Sequence, residues 1–313
     1  MWNNYSNIYL YRKTLQLFLL IIRFQKDFVN IFIHEKYIGN SVFYIKRYEI
    51  MKGIIIPCPA KYENICLSNI QNIRDYGCSC LIEIWEAGVE ISSSVRDELS
   101  KINNVQFKNV ADYCDNPHFW KGFQIKVFAL YYTQIEECII IDADVTFFKN
   151  PEIIWKDENY IRTGTYFFRD LDKWQFTELS NFVSEQENKF SSLIFYLKRR
   201  MFIRKLIPIK TNIFPSEWNY IYEDETPNNV KEAYQESGVV FINKKIHKLS
   251  IEYIYQLNEY YPQTYQYVWG DKETFWIGCV MAGNEFYMNP SPSFLHENCL
   301  THMYNGISFW KQK

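Results

Sequence analysis

Residues 137–148, Glu-Cys-Ile-Ile-Ile-Asp-Ala-Asp-Val-Thr-Phe-Phe, decide how the rest of the chain is read. Cys138-Ile139-Ile140-Ile141 reads as the most apolar strand in the chain, and its β-branched residues suit burial on both faces. It leads straight into Asp142-Ala143-Asp144. The i, i+2 spacing puts both carboxylates on one face if the backbone stays extended. Two carboxylates so close repel, and burying them without a partner is costly. A divalent cation resolves both problems, since Mg²⁺ and Mn²⁺ take oxygen ligands and commonly share a site with substrate phosphates. The bland alternative is a pair of solvated aspartates in a polar turn. The apolar residues on either side, with Val145-Thr146-Phe147-Phe148 following, favour the metal reading.

Upstream, Gly53-Ile54-Ile55-Ile56 reads as a buried strand stopped by Pro57-Cys58-Pro59. Residues 61–76 read as a helix with a stop at Asp75-Tyr76-Gly77. Leu81-Ile82-Glu83-Ile84-Trp85 is a second strand, residues 92–103 a helix, and Val105-Gln106-Phe107 a third strand. A helix over 119–133, with Phe123, Val127 and Leu130-Tyr131 facing the sheet, precedes the aspartate strand. Alternating strands and helices predict an α/β fold with a mainly parallel, doubly wound sheet and helices on both faces. In such a sheet, ligands bind beyond the carboxyl ends of the strands, where Asp142 and Asp144 lie.

Composition sets the bounds. The chain has 313 residues, 48% hydrophobic and 22% charged, with a formal net charge of −2, so it can bury a large core and has no electrostatic call for nucleic acid. Its eight cysteines are scattered and read as small buried residues; Cys78 and Cys80 form C-x-C, which is neither a zinc knuckle nor a redox C-x-x-C. Residues 1–50 read as a helical extension to a catalytic domain over 51–313, with a nucleotide-binding half to about 155 and an acceptor-binding half beyond. The apolar run Leu17-Phe18-Leu19-Leu20-Ile21-Ile22 is too short to span a bilayer, so it reads as a packing helix, with a signal anchor as the alternative.

The residues around the aspartates also carry a resemblance. The stretch KGFQIKVFALYYTQIEECIIIDADVTFFKNPE resembles the core of the fungal α-1,3-mannosyltransferase family of the yeast cell wall. The matching positions are Gly122, Phe123, Gln124, Lys126, Asp142, Asp144, Pro151 and Glu152. GIIIPCPAKYENICLSNIQNIRDYGCSCLIEIW is similar to that family's first strand, helix and second strand. QESGVVFINKKIH and YVWGDKETFWIG resemble its later E-S-G and G-D-K-x-T-F motifs. The four blocks cover roughly residues 52–290 in the family's order.

The resemblance implies a GT-A-type glycosyltransferase fold and a retaining, metal-dependent transfer of a hexose, mannose foremost, from a nucleotide sugar to a glycan or glycoprotein acceptor. It implies Mn²⁺ or Mg²⁺ on Asp142 and Asp144, with GDP-mannose as donor ahead of a UDP-sugar. Lys126 is a candidate for neutralising the donor phosphates or an aspartate; by itself it reads equally as a helix-surface lysine. Glu236 and Asp271 are the catalytic candidates, Glu236 toward the sugar hydroxyls and Asp271 near the reacting carbon, although Asp271 also suits a helix N-cap. The ending LTHMYNGISFWKQ is loosely similar to the H-x-x-G-x-K-P-W ending of glycogenin-like retaining transferases, through His302, Gly306, Trp310 and Lys311. His302 is preferred over His296 as a third metal ligand. The cofactor-binding set is Pro57, Lys126, Gly306 and Lys311.

Three other readings remain open on sequence. A glycogenin-like enzyme would transfer glucose or N-acetylglucosamine from a UDP-sugar. A silent glycan-binding protein could keep the fold. A nucleotidyltransferase shares sheet and carboxylates, but a Gly-rich phosphate loop is missing after the first strand. Residues 191–210, basic and apolar, read as a packed helix, a membrane-surface contact or an active-site lid. A cytoplasmic or peripheral-membrane location is expected ahead of a Golgi-type lumenal one.

Overall fold

A computed structural model describes residues 31–34, 44–47, 50–88, 91–170, 235–265 and 270–312. The chain divides into two compact units, Met1–Ile50 and Met51–Lys313. In the first, Ile31–His34 (β1) and Tyr44–Arg47 (β2) pair antiparallel, Ile31 opposite Arg47. The helical reading of residues 1–50 is corrected over these segments, where β-branched and aromatic residues favour extended backbone. The apolar run at 17–22 and the basic segment 191–210 lie outside the described residues. Among the described residues no helix is long and apolar enough to cross a membrane.

The second unit is built on a six-stranded sheet. Its strands are Lys52–Pro57 (β3), Leu81–Glu86 (β4), Val105–Asn109 (β5), Glu137–Ile141 (β6), Thr165–Arg169 (β8) and Gln235–Asn243 (β9), in the order β5-β4-β3-β6-β9-β8. β3 to β6 run parallel, whereas β9 runs against both β6 and β8. The reversed strand inside a parallel sheet was not legible in the sequence, because β9 is as apolar as a parallel strand: all but its last residue are buried. A second sheet joins Val145–Phe147 (β7), Phe294–His296 (β10), Cys299–Tyr304 (β11) and Ile307–Gln312 (β12) in the order β10-β11-β12-β7.

Strand alternation feeds two cores. Ile55, Cys138, Ile140, Val240 and Ile242 face one, with the helices Ile125–Tyr132 (α3), Lys248–Glu259 (α5) and Thr274–Ala282 (α7). Ile54, Ile56, Ile139, Ile141 and Phe241 face the other, with Glu63–Asp75 (α1), Ser93–Ser100 (α2) and Glu158–Thr163 (α4), while the short Tyr261–Thr264 (α6) follows α5. Each fully buried aliphatic side chain contributes roughly 1.5–3 kcal/mol. This is the doubly wound α/β arrangement expected from the sequence.

One expectation fails beside the site. The helix over 119–133 starts only at Ile125, after a 3₁₀ turn at Pro117–Trp120. Gly122, at φ +97°, breaks the path between them. Val127 and Leu130 are buried as expected, but Phe123 is 63% exposed and does not pack on the sheet.

At the α5–α7 contact, a Cβ on Gly278 would overlap Ile254 and lie 2.9 Å from the Ser250 carbonyl. Overpacking of this kind costs about 1–3 kcal/mol. Gly278→Ala should therefore lower the urea midpoint with an unchanged m-value. An unchanged midpoint would contradict the packing described.

Candidate active site

β6 ends at Ile141 and β7 begins at Val145, so the two aspartates lie in a tight turn. The Val145 amide donates to the Asp142 carbonyl at 3.1 Å, and the Asp142 amide donates to the Gly238 carbonyl at 2.9 Å. Asn69 of α1 pins the turn from outside, donating to the Ala143 carbonyl at 2.8 Å and accepting from Thr146 Oγ1 at 2.8 Å. The backbone is turned rather than extended, yet the carboxylates still converge. Gln312 Nε2 donates to Asp142 Oδ2 and to Asp144 Oδ1, both at 3.1 Å. Burial, then the charge of Asp142, raises the Asp144 carboxyl above its ordinary value.

Lys126 reaches the same point from α3. It is 3% exposed, so the helix-surface reading does not hold. Its Nζ lies 2.9 Å from Asp142 Oδ1 and 3.3 Å from Asp271 Oδ2, and donates at 3.0 Å to both the carbonyl and the hydroxyl of Ser237. Burial alone would push this ammonium down, but Asp142, Asp271 and Glu236 outweigh it and hold it above the lysine range.

A second cation pairs beside it. Lys272 Nζ lies 2.6 Å from Glu236 Oε2 and 2.9 Å from Asp170 Oδ2. Burial disfavours its charge, yet Glu236 and Asp170 together raise it. Glu236 also accepts from the Gly238 amide at 2.9 Å, and burial lifts its carboxyl despite Lys272. Asp271 is 1% exposed; burial raises its carboxyl against the pull of Lys126. The N-cap of α7 is Glu273, with no side-chain cap, so the capping reading of Asp271 is corrected: its backbone carbonyl, not its carboxylate, accepts from Thr274. Lys126, Asp142, Glu236, Ser237, Asp271 and Gln312 border one cavity of about 340 Å³.

Other sequence candidates lie elsewhere. His302 is not brought to the aspartates. It stands opposite Trp310 in the β11–β12 register and stacks on that ring at 3.8 Å and 8°. Burial and Lys272 lower its pKa well below the ordinary histidine value. His296 is 65% exposed in its side chain on β10. Among the described residues no third histidine, cysteine, aspartate or glutamate converges with Asp142 and Asp144. Gly306 at φ +75° follows Asn305 at φ +50°, making the two-residue hairpin turn between β11 and β12, with open space around it. Lys311 faces away from Gln312 on alternating β12, its Nζ 5.7 Å from the Phe148 ring. Pro57 ends β3, paired with Trp85, and does not border the cavity. Gly306, Lys311 and Pro57 thus do not border this cavity.

Gln312 and Lys272 are what sequence reasoning missed. Nothing local marks Gln312; only the pairing of β12 with β7, Gln312 opposite Val145, delivers it to the aspartates. Lys272 had a signal, since it lies in the G-D-K motif next to Asp271. Glycine in E-S-G has a specific reason: a Cβ at Gly238 would collide with Gln312 Oε1 and press on Trp310 at 3.2 Å.

A parallel sheet with one reversed strand, a short second sheet and an aspartate pair at the end of β6 define a GT-A-type glycosyltransferase fold. The chain belongs to the Mannosyl_trans3 family of mannosyltransferases, whose profile matches residues 51–295. It is 31% identical to MNN15 of Candida albicans over 195 residues, 59% of this chain and 23% of that protein. It is 26% identical to the alpha-1,3-mannosyltransferase MNT3 of Saccharomyces cerevisiae over 215 residues, 66% of this chain and 32% of that protein. The chain therefore spans well under half the length of these relatives. Among solved structures, it is similar to core-mannan synthase A of Aspergillus fumigatus in its Mn/GDP form, with a TM-score of 0.49 and 8% identity over 90% of each chain. Ktr4p of S. cerevisiae also gives a TM-score of 0.49, with 11% identity over 83% of this chain and 72% of that one.

Glu273 provides a check on the buried charge set. It is 4% exposed, and burial pushes its carboxyl up to about 8 although Trp276 Nε1 donates to it. The unfolded chain releases this proton near the ordinary glutamate value of 4.5, whereas the folded chain holds it to about 8. Stability from this group is therefore complete below pH 4.5, falls as pH rises through that window, and levels off above it. Glu273→Gln should match the wild type at pH 4.5 and gain on it steadily toward pH 8, read as urea midpoints. A gap independent of pH would contradict the assignment.

Proposed function

We propose that the chain transfers mannose from a nucleotide-sugar donor, GDP-mannose by preference, to a glycan or glycoprotein acceptor, with Mn²⁺ or Mg²⁺ at Asp142 and Asp144. The observation that carries this reading is the convergence of both carboxylates on a single amide nitrogen at 3.1 Å. A point that a polar N–H occupies between two acid oxygens is also a point that suits a hard cation. The donor set fits such an ion: two carboxylates, the amide oxygen available on Gln312, and room in the adjoining cavity for phosphate oxygens or water. When bound, the cation supplies Lewis-acid neutralisation of the departing diphosphate.

The chain's own residues divide the remaining work. Lys126 straddles both oxygens of Asp142 and fixes that carboxylate's orientation without leaving the protein interior. Asp271 and Glu236 supply negative charge on the cavity wall, suited to stabilising a sugar carbon that becomes cationic. Each is held by its own ammonium, Lys126 and Lys272, so the negative field toward the cavity is tempered rather than bare. Family membership supports the mannosyl assignment; the acceptor is the glycan class that family implies.

Asp144→Asn keeps volume and removes charge. It should cut mannosyl transfer by about two orders of magnitude or more, while the thermal midpoint stays close to wild type. A donor assay with Mn²⁺, reading released nucleoside diphosphate, checks this. Near wild-type turnover would move the metal site elsewhere.

A further inference from the structure

Among the described residues, a further cluster of metal-type ligands, outside the cavity lining, lies at the turn between α1 and β4. Cys78 and Cys80 face each other with their sulfurs 3.4 Å apart. Glu152, brought from the segment after β7, lies with them: one ligand atom from each of the three residues falls within 4.8 Å of the others. The grouping crosses 72 residues of sequence, which is why C-x-C alone reads as two small buried residues.

The turn is held in place before any ligand arrives. Glu152 Oε1 accepts from the amides of Ser79 and Cys80 at 3.2 and 3.3 Å. Glu152 itself is set by Asn150, whose side chain accepts from its amide at 2.9 Å. Arg74 Nη1 donates to the Cys78 carbonyl at 3.0 Å and lies 3.9 Å from its sulfur, while Nη2 bonds the Asn103 carbonyl at 3.0 Å. Asn104 Nδ2 donates to the Ser79 carbonyl at 3.0 Å. Cys78 is 2% exposed, whereas Cys80 and Glu152 are half-buried, which leaves a way in from solvent.

We propose that Cys78, Cys80 and Glu152 form a second metal site, for a thiophilic d¹⁰ cation such as Zn²⁺, distinct from the oxygen site at the aspartates. Two sulfurs and one carboxylate leave a fourth tetrahedral position for water. Binding releases the two thiol protons to solvent and leaves two thiolates and a carboxylate on the dication, a net charge of −1. The Arg74 guanidinium, already beside Cys78, balances it. Soft sulfur ligands select this cation over Mn²⁺ or Mg²⁺, so the two sites sort metals by chemistry. An ion here clips the α1–β4 turn to the segment that follows the Asp142–Asp144 turn, and stabilises the fold by linkage.

The test uses the whole chain carrying Asp144→Asn, kept reduced with a phosphine, and titrated with Cd²⁺. One equivalent should give the ultraviolet sulfur-to-cadmium charge-transfer band, displaced by Zn²⁺. Cys80→Ser, at a half-exposed position that tolerates the change, should abolish the band; Glu152→Gln should weaken Cd²⁺ affinity at least about tenfold. Zn²⁺ should raise the melting temperature of the parent and not of Cys80→Ser. No band in the parent, or a full band in a Cys78→Ser, Cys80→Ser double variant, would overturn the proposal.

Discussion

The ammonium of Lys126 is the interaction on which the site depends. It is buried at the end of the central strands, and three elements meet on it: α3 that carries it, the turn after β6 through Asp142, and the start of α7 through Asp271. Ser237 of β9 takes its other donors. Removing one partner of such a set leaves an uncompensated charge, which costs several kcal/mol. Lys126 pairs directly with Asp142, whereas Asp144 accepts from the Gln312 amide, and burial and the charge of Asp142 raise its carboxyl.

Charge is layered outward from that centre. Lys272 repeats the arrangement with Glu236 and Asp170, so two cations and three acids, Asp142, Asp271 and Glu236, border the cavity, with Asp170 paired to Lys272. Gly238 lets the layers approach: with no Cβ, its backbone lies against Gln312 and Trp310 while its amide holds Glu236 and its carbonyl holds Asp142. A Cβ at that position would collide with Oε1 of the same Gln312 amide whose Nε2 contacts both aspartates.

Much of the fold was legible in the sequence because apolar β-branched runs and turn residues are local signals. The strands at 53–56, 81–85, 105–107 and 138–141 all appear, as do the helices between them. The reversal of β9 was not legible, since burial on both faces erases the alternation that marks antiparallel strands. Phe123 misled for a related reason: its spacing suits a helix, but Gly122 breaks the chain at φ +97° before the helix begins. At the site, Asp142, Asp144, Lys126, Glu236 and Asp271 were each marked by a motif, and the structure gathers them. His302, Gly306 and Lys311 were marked by a loose ending motif, and the β11–β12 register sends them to a stacked ring, a hairpin tip and the opposite face. Gln312 carries no local signal at all, because only a long-range strand pairing brings it in.

We propose that the convergence point of Asp142 and Asp144 is a cation site. Anomalous scattering from a crystal of the chain grown with Mn²⁺ and GDP tests it most directly. A single strong peak is expected within bonding distance of both carboxylates, with Gln312 Nε2 no longer donating to them. A peak elsewhere in the cavity, or none with GDP bound, would contradict it.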